Sequence, residues 1–134
     1  PNNFYKERSI MKKTCYVLFC LTAILLLSTG IALADKSAVT IIAPESAAKG
    51  TEVTIKLNVT HNGNNMLHYT KWAYIKINGK EIARWDFSAT KTPESENFTK
   101  EVKFTINEPV QIEAEANCNI HGSAGIVKAS VGIK

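Results

Sequence analysis

The 134-residue chain is 45% hydrophobic and 21% charged, with a net charge of +4, which suits one ordinary domain and not two. Seven glycines, four prolines and three cysteines exclude a collagenous chain, a low-complexity chain and a disulfide-dense scaffold. The apolar content excludes wholesale disorder.

Residues 1–10 carry no methionine and precede Met11. Lys6-Glu7-Arg8 can be encoded by a purine-rich string of the ribosome-binding kind, so residues 1–10 are expected to be an untranslated leader read as protein. Met11-Lys12-Lys13 opens a positive region, Val17 to Leu27 is almost wholly apolar, and Ala32-Leu33-Ala34 is an A-x-A pattern. Residues 11–34 therefore read as a signal peptide. The apolar run is short of the ~20 residues of a transmembrane helix, so no membrane span is expected after cleavage. The product is expected to be exported, periplasmic or secreted, from a bacterial or archaeal cell. Cys15 and Cys20 go with the leader, and Cys20 lacks the small residues of a lipoprotein box.

The leader also holds Lys6, Arg8, Lys12 and Lys13 against Glu7. Residues 35–134 keep twelve basic and eleven acidic residues, a net charge of +1. The basic balance thus offers no reason to expect a nucleic-acid partner.

The domain at 35–134 reads as strands throughout. Val39 to Ile42 is β-branched and stops at Pro44. Thr51 to Val59 alternates, with Val53, Ile55, Leu57 and Val59 on one face. Asn62 to Asn65 is a polar loop. Trp72 to Ile77 and Glu81 to Phe87 flank Asn78-Gly79, a strong hairpin turn. A polar loop around Pro93 leads to Phe98 to Ile106. Val110 to Ala116 and Ile126 to Ile133 complete the set. About seven short strands with no helical stretch predict an all-β, immunoglobulin-like antiparallel sandwich. The Cys…Trp…Cys spacing of true immunoglobulins is missing, and a cupredoxin-like sandwich is the alternative.

The chemistry lies in four residues. His61, His68 and His121 are the chain's three histidines, and Cys118 is the one cysteine after the leader. A lone thiol in an exported protein forms no internal disulfide. Taken singly, His61 and His68 read as surface loop residues, Cys118 as a small buried hydrophobe, and Cys118-x-x-His121 as a weak motif. Together they form a compact donor set in two loop-like segments, and imidazole with thiolate suits Fe, Cu or Zn. Cysteine-protease chemistry would leave two histidines unused, and Glu81 and Asp86 lack a matched carboxylate partner. Phosphate-loop and dinucleotide glycine motifs are absent.

Cys118-Asn119-Ile120-His121-Gly122 resembles the C-N-x-H-G motif of the superoxide reductases, the iron domain of desulfoferrodoxins and neelaredoxins. His68-Tyr69-Thr70-Lys71-Trp72 resembles that family's H-Y/H-x-x-W segment. His61 resembles the ligand histidine before it, across a loop one residue longer than the family's, and Ala43-Pro44 matches a recurrent A-P. The resemblance implies an immunoglobulin-like sandwich and mononuclear non-haem iron held by equatorial histidines and an axial thiolate. It implies reduction of superoxide to hydrogen peroxide at an open position, with electrons from an exported or membrane-associated donor. By the same resemblance the metal ligands are His61, His68, Cys118 and His121.

The family's E-K-H segment corresponds here to Asp35-Lys36-Ser37. By this resemblance Lys36 is expected to have the catalytic role of attracting superoxide and supporting proton delivery. Read by itself it is a solvated tail residue. Ser37 stands where the fourth ligand histidine is expected. Cleavage after Ala34 would leave Asp35 as the amino terminus, with its α-amino group a candidate ligand. Two other functions compete: a cupredoxin-like copper electron carrier, which would leave His61 unused, and a non-catalytic metal-binding module with a degraded site. Self-association into a homo-oligomer is open, since small sandwiches often self-associate and the sequence marks no specific interface.

Overall fold

The computed structural model describes residues 15–17 and 35–134. Contacts divide the chain into two units, Pro1–Ala32 and Leu33–Lys134. In the first, residues 15–17 are helical and exposed. The expected leader at 1–10, and all but residues 15–17 of the expected signal peptide at 11–34, lie outside the described residues. Among the described residues no helix is long and apolar enough to cross a membrane.

The second unit is built of β1 (Ala38–Ile42), β2 (Ser46–Ala47), β3 (Thr51–Thr60), β4 (Thr70–Ile77), β5 (Lys80–Asp86), β6 (Asn97–Ile106), β7 (Val110–Cys118) and β8 (Val127–Ile133). One sheet has the order β1-β3-β6 and the other β2-β8-β7-β4-β5. The all-β sandwich expected from the strand pattern is the fold observed. The strand beyond the expected seven is β2. Its two residues are too few to show a period, and it joins β8 in parallel through Ser46 and Gly132.

The alternation in the sequence becomes the two inner faces. Ile55, Leu57 and Val59 of β3 are fully buried, as are Ala73 and Ile75 of β4 and Ile112, Ala114 and Ala116 of β7. Asn78 and Gly79 take φ of 48° and 80°, the left-handed pair a two-residue hairpin needs. Asn78 Oδ1 also accepts from the Gln111 N–H at 2.8 Å, tying the turn to β7.

Strand β6 is the edge of the smaller sheet. Its inward phase includes Lys100, whose Nζ sits over the rings of Phe87 and Phe98 and pairs with Glu94 at 3.2 Å. An inward-pointing lysine on an edge strand discourages a second chain from pairing there.

Register decides which strand ends meet. Ala38 opposes Thr60 and Thr60 opposes Asn97, so the start of β1, the end of β3 and the start of β6 share one end of their sheet. Thr70 opposes Cys118, which brings the start of β4 to the end of β7. Ser37 N–H donates to Gly122 O at 3.3 Å, and Ala124 N–H donates to Ser37 O at 2.9 Å. These bonds join the two sheets at that end. Every candidate ligand falls there.

Candidate metal centre

His61 follows β3 directly and is 3% exposed. Its N–H donates to Glu96 O at 2.9 Å, which continues the β3–β6 pairing by one residue. The loop after it is closed by two asparagines. Asn65 Oδ1 accepts the N–H groups of Leu67 and His68, while Asn65 N–H donates to His68 O at 2.8 Å. Gly63 supplies the left-handed turn, with φ of 97°. The chain is thereby folded back until His68 faces His61.

Asn64 sets the orientation of His61. Its Oδ1 accepts the Thr70 N–H at 2.8 Å, and its Nδ2 donates to Ser95 O at 2.7 Å. The Oδ1 is therefore an acceptor, and His61 Nδ1–H donates to it at 2.8 Å. In the neutral ring this leaves the lone pair on Nε2. Such an outer partner commonly directs a metal-binding imidazole.

The second segment starts on a strand and not in a loop as the sequence pattern suggests. Cys118 is the last residue of β7 and is 2% exposed. The chain then turns tightly: Cys118 N–H donates to Gly122 O at 2.9 Å and Gly122 N–H returns to Cys118 O at 3.2 Å. Gly122 has φ of 80°. The N–H groups of Ile120 and His121 both point at Cys118 Sγ, each at 3.4 Å. Asn119 pins this turn to the His68 segment. Its Oδ1 accepts the Tyr69 N–H at 2.9 Å and its Nδ2 donates to Leu67 O at 3.0 Å.

The four donors converge. His61 Nε2 lies 3.2 Å from His68 Nε2, and His121 Nδ1 lies 3.0 Å from the same atom. Cys118 Sγ is 3.9 Å from His121 Nδ1. Donor atoms of His61, His68 and Cys118 all fall within 4.8 Å of one another. The imidazole pairs stand nearly perpendicular, at 74° and 85°, and meet through nitrogens. Two nitrogens bound at right angles to one ion at about 2.1 Å are about 3.0 Å apart. Neutral imidazoles whose lone pairs point at one another repel unless a cation or proton lies between them. The donor set therefore fits an iron-type cation, with a soft thiolate and borderline imidazoles.

Burial, and then the nearby imidazoles of His61 and His121, hold His68 below the usual histidine range, while Asp35 pulls the other way. Its neutral, lone-pair form is favoured at neutral pH. As pH falls, the unfolded chain takes up the proton at about 6.5 before the folded chain does. The stabilising contribution of neutral His68 is thus present above about 6.5 and declines as pH drops toward its lower folded value. The metal-free protein is expected to melt at lower temperature at pH 5 than at pH 7.5, and His68→Gln to flatten that difference. Thermal melts at the two pH values check this.

Lys36 is exposed and lines a cleft of about 400 Å³ together with His61, Asn62, Thr60 and Glu96. Ser37 lies fully buried, and its Oγ shares a hydrogen bond with Thr70 Oγ1 at 2.8 Å. Asn64, Asn119 and the main chain of Asp35 are the contributors that sequence reasoning did not assign. Asn119 was visible as part of the C-N-x-H-G string. Nothing local to Asn64 distinguishes it from Asn62 or Asn65.

The family profile "Desulfoferrodoxin" matches residues 30–124. The chain belongs to the desulfoferrodoxin family. Among curated proteins there is no match. The fold is shared with solved superoxide reductases. One, a neelaredoxin from Ignicoccus hospitalis, is 18% identical, with a TM-score of 0.62 over 80% of this chain and 89% of that one. A putative superoxide reductase from Thermotoga maritima is 22% identical, with a TM-score of 0.56 over 72% of this chain and 86% of that one. A neelaredoxin from Archaeoglobus fulgidus in the reduced form is 18% identical, with a TM-score of 0.52 over 72% of this chain and 89% of that one. As a desulfoferrodoxin, the protein is an oxidoreductase of the superoxide reductase class, with non-haem iron as its cofactor.

Proposed function

We propose that this desulfoferrodoxin is an exported superoxide reductase whose iron is held by His61, His68, His121 and the thiolate of Cys118. The observation that carries this reading is the meeting of three imidazole nitrogens and one sulfur at a single end of the sandwich. Iron held by these residues would supply the single electron that, with two protons, reduces superoxide to hydrogen peroxide. An exported or membrane-associated donor restores that electron.

The chain's own groups have separate tasks. The buried thiolate would donate electron density to a bound iron, and the Ile120 and His121 N–H groups aimed at Sγ would moderate that donation. His121 is exposed, so the site is open to a small anion on that side. Lys36, beside His61 in the cleft, attracts the anion and supports proton delivery. The involvement of His61 favours this reading over a two-histidine copper centre. Export is supported by the basic start at Met11-Lys12-Lys13, the apolar run and Ala32-Leu33-Ala34.

Metal analysis and an optical spectrum of the oxidised protein purified from the periplasm test the proposal. One iron per chain, a thiolate-to-iron band and consumption of superoxide are the expected results, with an intact mass that begins at Asp35. Copper with an intense blue band would replace the proposal with the copper carrier. Iron without superoxide turnover would leave a metal-binding module.

A further inference from the structure

The site lacks the fourth histidine that the family pattern places at Ser37, and a main-chain oxygen stands in the gap. Asp35 O lies 3.1 Å from His61 Nε2. Asn64 already takes the proton of His61 Nδ1, so a neutral His61 presents a lone pair to that oxygen. The carbonyl oxygen also has lone pairs alone. Two such atoms at 3.1 Å need a positive centre between or beside them. A separation of about 3.0 Å is what two donors bound at right angles at about 2.1 Å would show.

The carbonyl is held there by its neighbours. Ser37, two residues on, is anchored by its N–H to Gly122 O, by its O to the Ala124 N–H and by its Oγ to Thr70 Oγ1. Gly122 adjoins His121, and Thr70 sits two residues after His68. The segment carrying Asp35 is thus pinned to the same two segments that carry the imidazoles.

We infer that the main-chain carbonyl oxygen of Asp35 would be a fourth donor to the iron beside the three imidazoles, where Ser37 supplies no imidazole. The inference rests on the three-imidazole, one-thiolate site proposed above. It explains why Ser37 is free to serve as a buried structural hydroxyl. It also makes the fourth donor independent of the side chain at position 35.

Aspartate occurs only at positions 35 and 86, so carbonyl-13C aspartate marks the candidate almost uniquely. The test is pulsed electron–nuclear double resonance on the labelled, ferric, full-chain protein. A 13C coupling to iron is expected in the parent and in Asp86→Asn. It should vanish in Asp35→Ala, where the carbonyl stays but the label goes, while iron affinity and the thiolate band stay at the parent's values. An intact thiolate band with no 13C coupling in the parent would overturn the inference and leave the site reading standing. Loss of iron in Asp35→Ala would assign the donor to the carboxylate and overturn it too. A parent protein that takes up no iron would overturn the site itself and the inference with it.

Discussion

Cys118→Ser is expected to abolish the thiolate-to-iron band and to lower superoxide turnover by at least about 100-fold, the scale of losing a group that stabilises charge in the reaction. The fold should survive. Cys118 is the buried last residue of β7, and the Ile120 and His121 N–H groups that point at sulfur remain able to donate to a serine oxygen. The hydroxyl therefore keeps partners, and the cost of burying it stays within about 1–3 kcal/mol. An optical spectrum and a thermal melt separate the two effects. A band that persists in the variant would remove Cys118 from the ligand set.

Asn64→Ala is the second large effect. The variant leaves the Thr70 N–H and His61 Nδ1–H without their shared acceptor and frees the loop from Ser95 O. A partly buried donor left unpaired costs about 1–3 kcal/mol. For a domain of this size each kcal/mol lowers Tm by about 4–8 °C. The ring of His61 also loses what fixes its lone pair toward His68, and iron affinity is expected to fall by about 10–100-fold. Asn64→Asp keeps the acceptor for both donors and loses just the bond to Ser95 O, so it should recover most of the affinity. Competition with a chelator measures both variants. Equal affinity in the parent and Asn64→Ala would mean that Asn64 acts on the loop alone.

These two residues also mark how far the sequence is informative. Cys118 is legible because it is the one cysteine of residues 35–134 and sits three residues before a histidine. Asn64 is one of three asparagines in a loop, and its task depends on Ser95 and Thr70, which are remote in sequence or lie on the next strand. The strands were legible for a similar local reason. A half-buried strand writes its burial into alternate residues, as Thr51–Thr60 does without a break. Strand β2 has two residues and no period to write.

By itself, the sequence determined the all-β class and the Asn78-Gly79 hairpin and singled out four candidate soft and imidazole donors, since each is a property of residue type and short-range spacing. The tertiary structure decided the rest. It set β1 against β3 and β4 against β7 in registers that bring His61, His68 and Cys118 together, and placed the Asp35 carbonyl beside them. A backbone oxygen is the same in every residue, so no side-chain pattern can announce it. What makes it a candidate donor is the hydrogen bonds that hold Ser37, and those form when the two sheets close on each other.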